Sequence, residues 1–258
     1  MVEFLTTNLI NTTTQLSVNS NSALVENLFA RDEFSQYYSV GFNSDSLSST
    51  ITVTFAETTP VSRIALLDTN FKEFYFFYNG ATANAFTLTG ADTSTSSYLN
   101  STDENKYFRF NTIQCTSITF VATKTITAND EKLLGQLVVA DLQVDLELTP
   151  SAQKYKPKRT PKQIVHKLAD GGTRIHNVRS KWDVQFSLDY ISTAQRDALY
   201  QLHSGGEAFN YCPFGTATGW DGIFFEAVWP GPFEFFSYSD NAASSGFSGK
   251  ITLAETPA

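Results

Sequence analysis

The stretch ITVTFAETTPVSRIALLDTNFKEFYFFYNG, residues 51–80, decides the fold class. ITVTF (51–55) alternates apolar with polar residues and is rich in β-branched side chains. VSRIALLD (61–68) follows Pro60, and FKEFYFFYNG (71–80) is aromatic and closes on Asn79-Gly80, a strong turn signal. Alternation with period two sends successive side chains to opposite faces of a strand. Working outward, AFTLTG (85–90), KYFRFN (106–111) and CTSITFVATKTI (115–126) repeat the pattern. LGQLVVADLQVDLEL (134–148) reads as one long strand, with Leu142, Val144, Leu146 and Leu148 opposite Gln143, Asp145 and Glu147. A short helical turn is expected near Leu24–Phe29, where Leu24, Val25, Leu28 and Phe29 share a face. Short strands at this spacing indicate an antiparallel sandwich or jelly roll.

Composition agrees. Twenty-two Phe and eleven Tyr against one Met favour pleated, half-buried surfaces. Charged residues are 17%, below the roughly 25% usual for globular domains, which points to surface covered by partners. The net charge of −8 is uneven. Residues 1–150 hold seven Lys/Arg against sixteen Asp/Glu; residues 151–258 hold eleven against ten. An acidic half argues against sequence-specific nucleic-acid binding, which needs a basic face. Cys115 and Cys212 form no motif and fit a reducing compartment or indifference to redox. The start, MVEFLTTNLINTTT, shows no positive n-region and no apolar core. No apolar run approaches the ~20 residues of a membrane helix. The expectation is a protein made in a cytoplasm, without membrane insertion.

Composition changes after Pro150. PSAQKYKPKRTPK (150–162) carries three prolines and five Lys/Arg with no acid. Proline stiffness and like-charge repulsion read as a solvated linker. The expected division is residues 1–149, a basic linker at 150–162, and a second domain at 163–258. In the latter, QIVHKL (163–168), Asp170-Gly171-Gly172 and TRIHNV (173–178) read as a hairpin. KWDVQFSLDYI (181–191) puts Trp182, Val184, Phe186, Leu188 and Tyr190 on one face. A helix at 193–203 follows: Ser192 caps it, Gln195 completes a capping box, Ala194, Ala198, Leu199 and Leu202 form its stripe, and Gly205-Gly206 stop it. EAFNYCPF (207–214), IFFEAVWPGPFEFFSYSD (223–240) and GFSGKITLAET (246–256) supply the remaining strands.

Chemistry-bearing patterns are sparse. His166 and His176 flank the hairpin, but a two-His site lacks further ligands at familiar spacing, so no metal is assigned. No Gly-x-Ser-x-Gly, His-Glu-x-x-His or Walker loop occurs. Asp145 and Glu147 share a face with Gln143, as on a solvent face, rather than forming a glycosidase pair. Asp103-Glu104 and Asp130-Glu131 sit in turn-like segments where a structural Ca²⁺ remains open. The expectation is a non-catalytic protein without cofactor. Its interaction candidates are the basic residues Lys154, Lys156, Lys158, Arg159 and Lys162, suited to an acidic partner surface, and the aromatic residues Trp220, Trp229, Phe233 and Phe235. The aromatic set reads as a subunit interface or, alternatively, as platforms for sugar stacking. FYFFY (74–78) must place rings on both faces of its strand.

Two family resemblances follow. Glu26-Asn27-Leu28-Phe29, Tyr37-Tyr38-Ser39, Ile51–Phe55, Val61–Asn70 and the closing Lys132–Val139 resemble the galactose-binding, discoidin-like jelly roll over about residues 20–148. Tyr stands where that family usually has Trp, and the cysteine pair that often ties its ends is absent. Arg179–Pro213, with its strand, short helix and Phe209-Asn210-Tyr211-Cys212-Pro213, resembles the tail-tube-like domain of phage distal tail and baseplate-hub proteins. The resemblance implies an all-β chain: an N-terminal jelly-roll sandwich and a C-terminal tail-tube-like barrel or sandwich with one short helix. It further implies a structural protein of the virion tail, a minor or distal tail protein. Such a protein forms a ring, usually hexameric, through edge-strand and hairpin contacts, and meets tube, hub, tape-measure or fibre proteins. The alternative expectation is a carbohydrate-binding adhesion protein that contacts host glycans.

Overall fold

The computed structural model describes residues 2–30, 35–80, 97–98, 101–146, 155–168, 171–213, 223–237 and 246–256. They are mostly antiparallel strands, the all-β class expected. They divide into two compact units. One is residues 5–142. The other joins residues 2–4 to 143–213, 223–237 and 246–256.

The chain starts with β1 (Val2–Leu5), which pairs in the sheet of the second unit. The first unit then runs β2 (Leu16–Val18), β3 (Tyr37–Tyr38), β4 (Ser49–Thr69), β5 (Phe71–Tyr78), β6 (Ser97–Tyr98), β7 (Lys106–Thr125) and β8 (Leu133–Ala140). The strands expected at 51–55 and 61–68 are one strand, β4; those at 106–111 and 115–126 are also one, β7. Their ladder is irregular in the middle: Thr54 pairs with Ser117, but Thr59 pairs with Cys115, and the register shifts again between Val61 and Arg63. On one side of this bend β2 and β5 flank the β4–β7 pair; on the other side β8 flanks β4. The order β3-β8-β4-β7-β5-β6, with β2 beside β4, is thus one hydrogen-bonded path that makes the jelly-roll sandwich. Ile51 and Val53 from one side of the bend and Ile64 and Leu66 from the other enter the same core. The aromatic strand splits as its alternation requires. Phe74 and Phe76 are buried, with Phe76 5.2 Å from Phe108 and 5.5 Å from Phe120. Tyr75 and Phe77 stack on each other at 6.3 Å and are half-buried. The helical turn expected near Leu24 is a 3₁₀ helix, Ser22–Leu28, that buries Val25 and Leu28. The segment AFTLTG (85–90) lies outside the described residues.

The second unit continues with β9 (Leu142–Leu146), β10 (Lys156–Lys167), β11 (Thr173–Ile191), α1 (Thr193–Gly205), β12 (Phe209–Cys212), β13 (Phe225–Val228), β14 (Glu234–Ser237) and β15 (Phe247–Glu255). Its sheet has the order β10-β11-β15-β13-β12-β1-β9, with β14 also on β15. The expected division at 1–149, 150–162 and 163–258 is corrected in two ways. Residues 2–4 and 143–146 belong with the later unit, where Val2, Phe4, Val144 and Leu146 share a core with Phe186 and Phe209. Residues 156–162 are strand, not linker, and pair with Arg179–Gln185 up to a register shift at Lys162/Gln163. The shift in charge at Pro150 is real. Core membership, however, is set by two very short alternating strands that carry little periodic signal.

The stretch 134–148 does not remain one strand either. At Asp141 its carboxylate accepts from Ser62 Oγ at 2.6 Å and its N–H donates to Thr6 Oγ1 at 3.0 Å. Its carbonyl accepts from Thr6 N–H at 2.9 Å, and Leu142 N–H donates to Ser62 Oγ at 2.9 Å. These local partners replace the sheet ladder, so β8 ends and β9 starts with new neighbours.

In β11, Val184, Phe186 and Leu188 are buried and Trp182 is half-buried, as the alternation predicts. Tyr190 departs: it is 71% exposed at φ 61°, and Ile191 is buried in its place. The pairing with β15 jumps here from Leu188↔Gly249 to Ile191↔Phe247. A bulge changes the phase of every later side chain. The helix is capped as expected, with Gln195 N–H donating to Ser192 Oγ at 3.2 Å and Ser192 N–H to Gln195 Oε1 at 3.0 Å. It runs to Gly205, and Gly206 closes it at φ 67°. Leu199 is fully buried; Ala194, expected in the apolar stripe, is exposed.

Candidate interaction surface

The interaction candidates fall into two places on the second unit. Lys156, Lys158 and Arg159 lie on β10, exposed. Lys154 and Trp220 lie outside the described residues, and Lys162 is described only by its backbone pairing. Arg159 lies opposite Trp182 in the register, and its guanidinium carbon is 5.7 Å from that ring's centroid. Its Nε donates to Ser180 Oγ at 2.7 Å. Lys156 pairs across from Gln185 and Lys158 from Asp183, on the opposite face. β10 is an edge strand, and Pro157 and Pro161 sit on it at alternate positions. Proline has no N–H for the ladder, so both stand in pairs whose donors point to the open edge. Prolines and lysines on an edge blunt it against another strand.

Beyond the register shift, β10 and β11 form an arm, Gln163–Lys167 against Thr173–Asn177. Ile164 (47% exposed), Val165 (54%) and Ile175 (58%) lie on it. Val165 and Ile175 are direct cross-strand partners on one face; Ile164 and His176 share the other. The arm therefore has apolar side chains on both faces and buries neither. The pairing of β10 with β11 brings His166 and His176 together, with ring centroids 5.6 Å apart. Neighbouring Ile164-Val165 is the sequence signal for this surface, because two adjacent apolar residues in a strand occupy both faces.

The second place is aromatic. Trp229, Phe233 and Phe235 do form a cluster: Trp229–Phe233 5.7 Å, Phe233–Phe235 4.8 Å. α1 completes it with His203, 5.1 Å from Trp229, and Tyr200, 5.3 Å from Phe233. His203 Nε2 hydrogen-bonds the Gly231 carbonyl at 2.8 Å and fixes the loop. Trp229 is 9% exposed, so it is a core residue of this unit. Phe233 and Phe235 are half-buried, and exposure falls on Phe236 and Tyr200 instead. The cluster is chiefly packing. Trp229 offers no ring face for a sugar. His203 and Tyr200 were missed in the sequence because they lie a full element away from the residues they touch. A groove of about 400 Å³ lies between α1 and β9, lined by Val144, Leu202, Gln201 and Glu207 among others, without a convergent set of titratable groups.

In the jelly-roll unit the acidic turns hold lysines. The Lys132 side chain is fully buried, and Nζ donates to the carbonyls of Phe42 at 2.7 Å and Ser44 at 2.9 Å. Burial lowers its pKa, and the nearby Asp45 carboxylate opposes the shift. Burial alone would raise the pKa of Asp45; hydrogen bonds from the Asn129 and Thr125 backbone and the Thr125 hydroxyl outweigh it, with Lys132, and the net shift is downward. Lys106 Nζ donates to the Asp103 carbonyl. Among the described residues no group of three His, Cys, Asp or Glu could hold a metal ion. Carbonyl oxygens that would suit a hard cation here face an ammonium.

No protein-family model matches the sequence, and no curated protein matches it. Solved structures with a similar part include carbohydrate-binding modules. Chitosan-binding module 1 from a chitosanase/glucanase of Paenibacillus sp. IK-5 aligns with a TM-score of 0.40 and 12% identity, over 52% of this chain and 98% of that one. CBM32-3 from a family 31 glycoside hydrolase of Clostridium perfringens aligns with a TM-score of 0.36 and 20% identity, over 50% of this chain and 92% of that one. The CBM32-1 and CBM32-2 domains of Clostridium perfringens ZmpB align with a TM-score of 0.38 and 14% identity, over 54% of this chain and 36% of that one.

Proposed function

We propose that the chain is a non-catalytic assembly protein, a subunit of a homo-oligomeric ring at the tail tip of a tailed bacteriophage. The observation that carries the assembly part is the arm at 163–177, a two-stranded ribbon with half-exposed apolar residues on both faces. Such a ribbon is marginal alone in water. Covering the exposed parts of Ile164, Val165, Leu168 and Ile175 is worth roughly 3–6 kcal/mol, at ~1.5–3 kcal/mol for each fully buried apolar side chain. The tail setting rests on the resemblance of Arg179–Pro213 to tail-tube-like domains.

Charge favours a second copy as the partner. Residues 155–180 carry seven Lys/Arg and one acid, Asp170. Residues 5–142 carry thirteen acids and seven bases, and three of those bases, Arg63, Lys106 and Lys132, are buried. The arm of one copy on the jelly-roll unit of the next is the complementary arrangement. Because prolines blunt the β10 edge, contact runs through the faces of the arm rather than through an added strand. The alternative, a glycan-binding module, lacks Trp229 as its stacking platform and needs other residues.

Light scattering on the purified chain tests the reading. A ring, expected as a hexamer, is the supporting result, and the double substitution Val165→Asp with Ile175→Asp dissolves it. A chain that remains monomeric at high concentration refutes it.

A further inference from the structure

We propose that His166 and His176 form a two-imidazole binding site for a transition-metal ion of the zinc, nickel and copper class, on the exposed face of the arm. The register decides their placement. Ile164 pairs with His176 and His166 with Arg174, so the two imidazoles are diagonal neighbours on one face of the ribbon. Their centroids are 5.6 Å apart and their planes 78° apart. Imidazole nitrogen binds such ions at about 2.0–2.1 Å, which puts the ion ~3.2 Å from each ring centroid. Two imidazoles on one tetrahedral ion then have centroids ~5.2 Å apart. The pair stands about 0.4 Å from that spacing, and small side-chain rotations close the difference.

The chemistry of the donors agrees. Imidazole suits zinc, copper and nickel, whereas magnesium and calcium prefer oxygen. Both rings are exposed, and neither has a hydrogen-bond partner among the described residues. His203 is different: its ring is committed to Gly231 and to the aromatic cluster. The arm supplies no carboxylate or thiol among its described residues, so the remaining positions of the ion take water. Arg174, opposite His166 on the same face, repels a cation and sets the affinity lower than that of an enclosed site. The donor set needs no second copy, since both imidazoles come from one chain.

The test is calorimetric titration of the full chain with Zn²⁺ and with Ni²⁺ at neutral pH, beside Cu²⁺ electron paramagnetic resonance. One ion per chain is expected, with two nitrogen donors in the resonance spectrum. His166→Asn and His176→Asn should each weaken binding on the order of a hundredfold, because each converts a two-point attachment into one. Arg174→Gln should tighten it. These positions are exposed, so the variants keep the fold. Equal affinity in His166→Asn and the parent, a single nitrogen donor, or binding that survives the double variant would each overturn the proposal.

Discussion

Replacing Lys106 by Met removes an ammonium that the jelly-roll unit holds almost out of water. Lys106 is 5% exposed, donates to the Asp103 carbonyl and lies 5.8 Å from the centroid of Phe74. Burial lowers its pKa from 10.5 to about 8, against the opposing pull of Asp103 and Glu104. Between those values the unfolded chain carries a proton that the folded chain has shed. Stability therefore rises with pH across that window, by about 1.4 kcal/mol per unit and roughly 3 kcal/mol in all. Cys115 has the opposite sign. Burial pushes its thiol from 9.0 up to about 11, so the folded chain keeps a proton that the unfolded chain loses, and stability falls over that range. Tyr37, raised by burial with Ser49 partly opposing, adds to the fall at higher pH. The parent protein alone should thus look nearly flat where the two windows overlap. The difference between parent and Lys106→Met cancels the shared groups and should climb by roughly 3 kcal/mol between about pH 8 and 10.5. Urea unfolding followed by circular dichroism measures it; fluorescence of tryptophan does not serve, since residues 5–142 contain none. Parallel stability profiles for the two proteins would refute the reasoning.

Other outcomes follow from the same structure. Trp229→Ala should cost about 3–5 kcal/mol in the second unit, read as a lowered urea midpoint, because it empties a packed aromatic cluster. A loss under about 1 kcal/mol would mean the ring is peripheral. Tyr190→Gly should leave stability unchanged or raise it by about 1 kcal/mol, since glycine adopts φ 61° without strain; a clear loss would show that the contacts of the tyrosine side chain outweigh the backbone strain. Val165→Asp should change the melting of isolated chains by no more than about 0.5 kcal/mol while abolishing the oligomer. Cys115 should resist thiol reagents at neutral pH in native protein and react at once in urea, and rapid native labelling would contradict its burial.

The strands were legible wherever alternation ran long enough, as in Ser49–Thr69 and Lys181–Leu188. Continuity was not. Thr54 to Thr59 reads as a break because alternation lapses there, yet the backbone stays in the ladder through a bulge. The helix came with its caps, since Ser192, Gln195 and Gly206 act within four residues of the ends they close. Tyr190 went to the wrong face because a left-handed residue changes the phase without any glycine to announce it. At the interaction surface, the basic residues were visible as charge, but their strand was hidden by the prolines at 157 and 161, which an edge strand tolerates. Trp229 was visible as an unusual residue but not as a buried one, since burial comes from α1, more than twenty residues earlier.

The pairing of β1 beside β12 and β9 makes the jelly roll a cassette. Its two ends, at Thr6 and Asp141, are hydrogen-bonded to each other. A whole domain thus hangs from what is, to the second unit, a hairpin connection between β1 and β9. Excising residues 7–140 and joining the strands by a short turn should leave a second unit that folds by itself. Conversely, removing residues 2–5 at the front of the chain should damage the unit encoded at its back and spare the jelly roll. During synthesis β1 leaves first and must wait for β12, about two hundred residues later, before its sheet can close. The cassette is complete by residue 140, about seventy residues before β12, so it can fold in that interval and leave β1 and β9 as neighbours for the strands still to come.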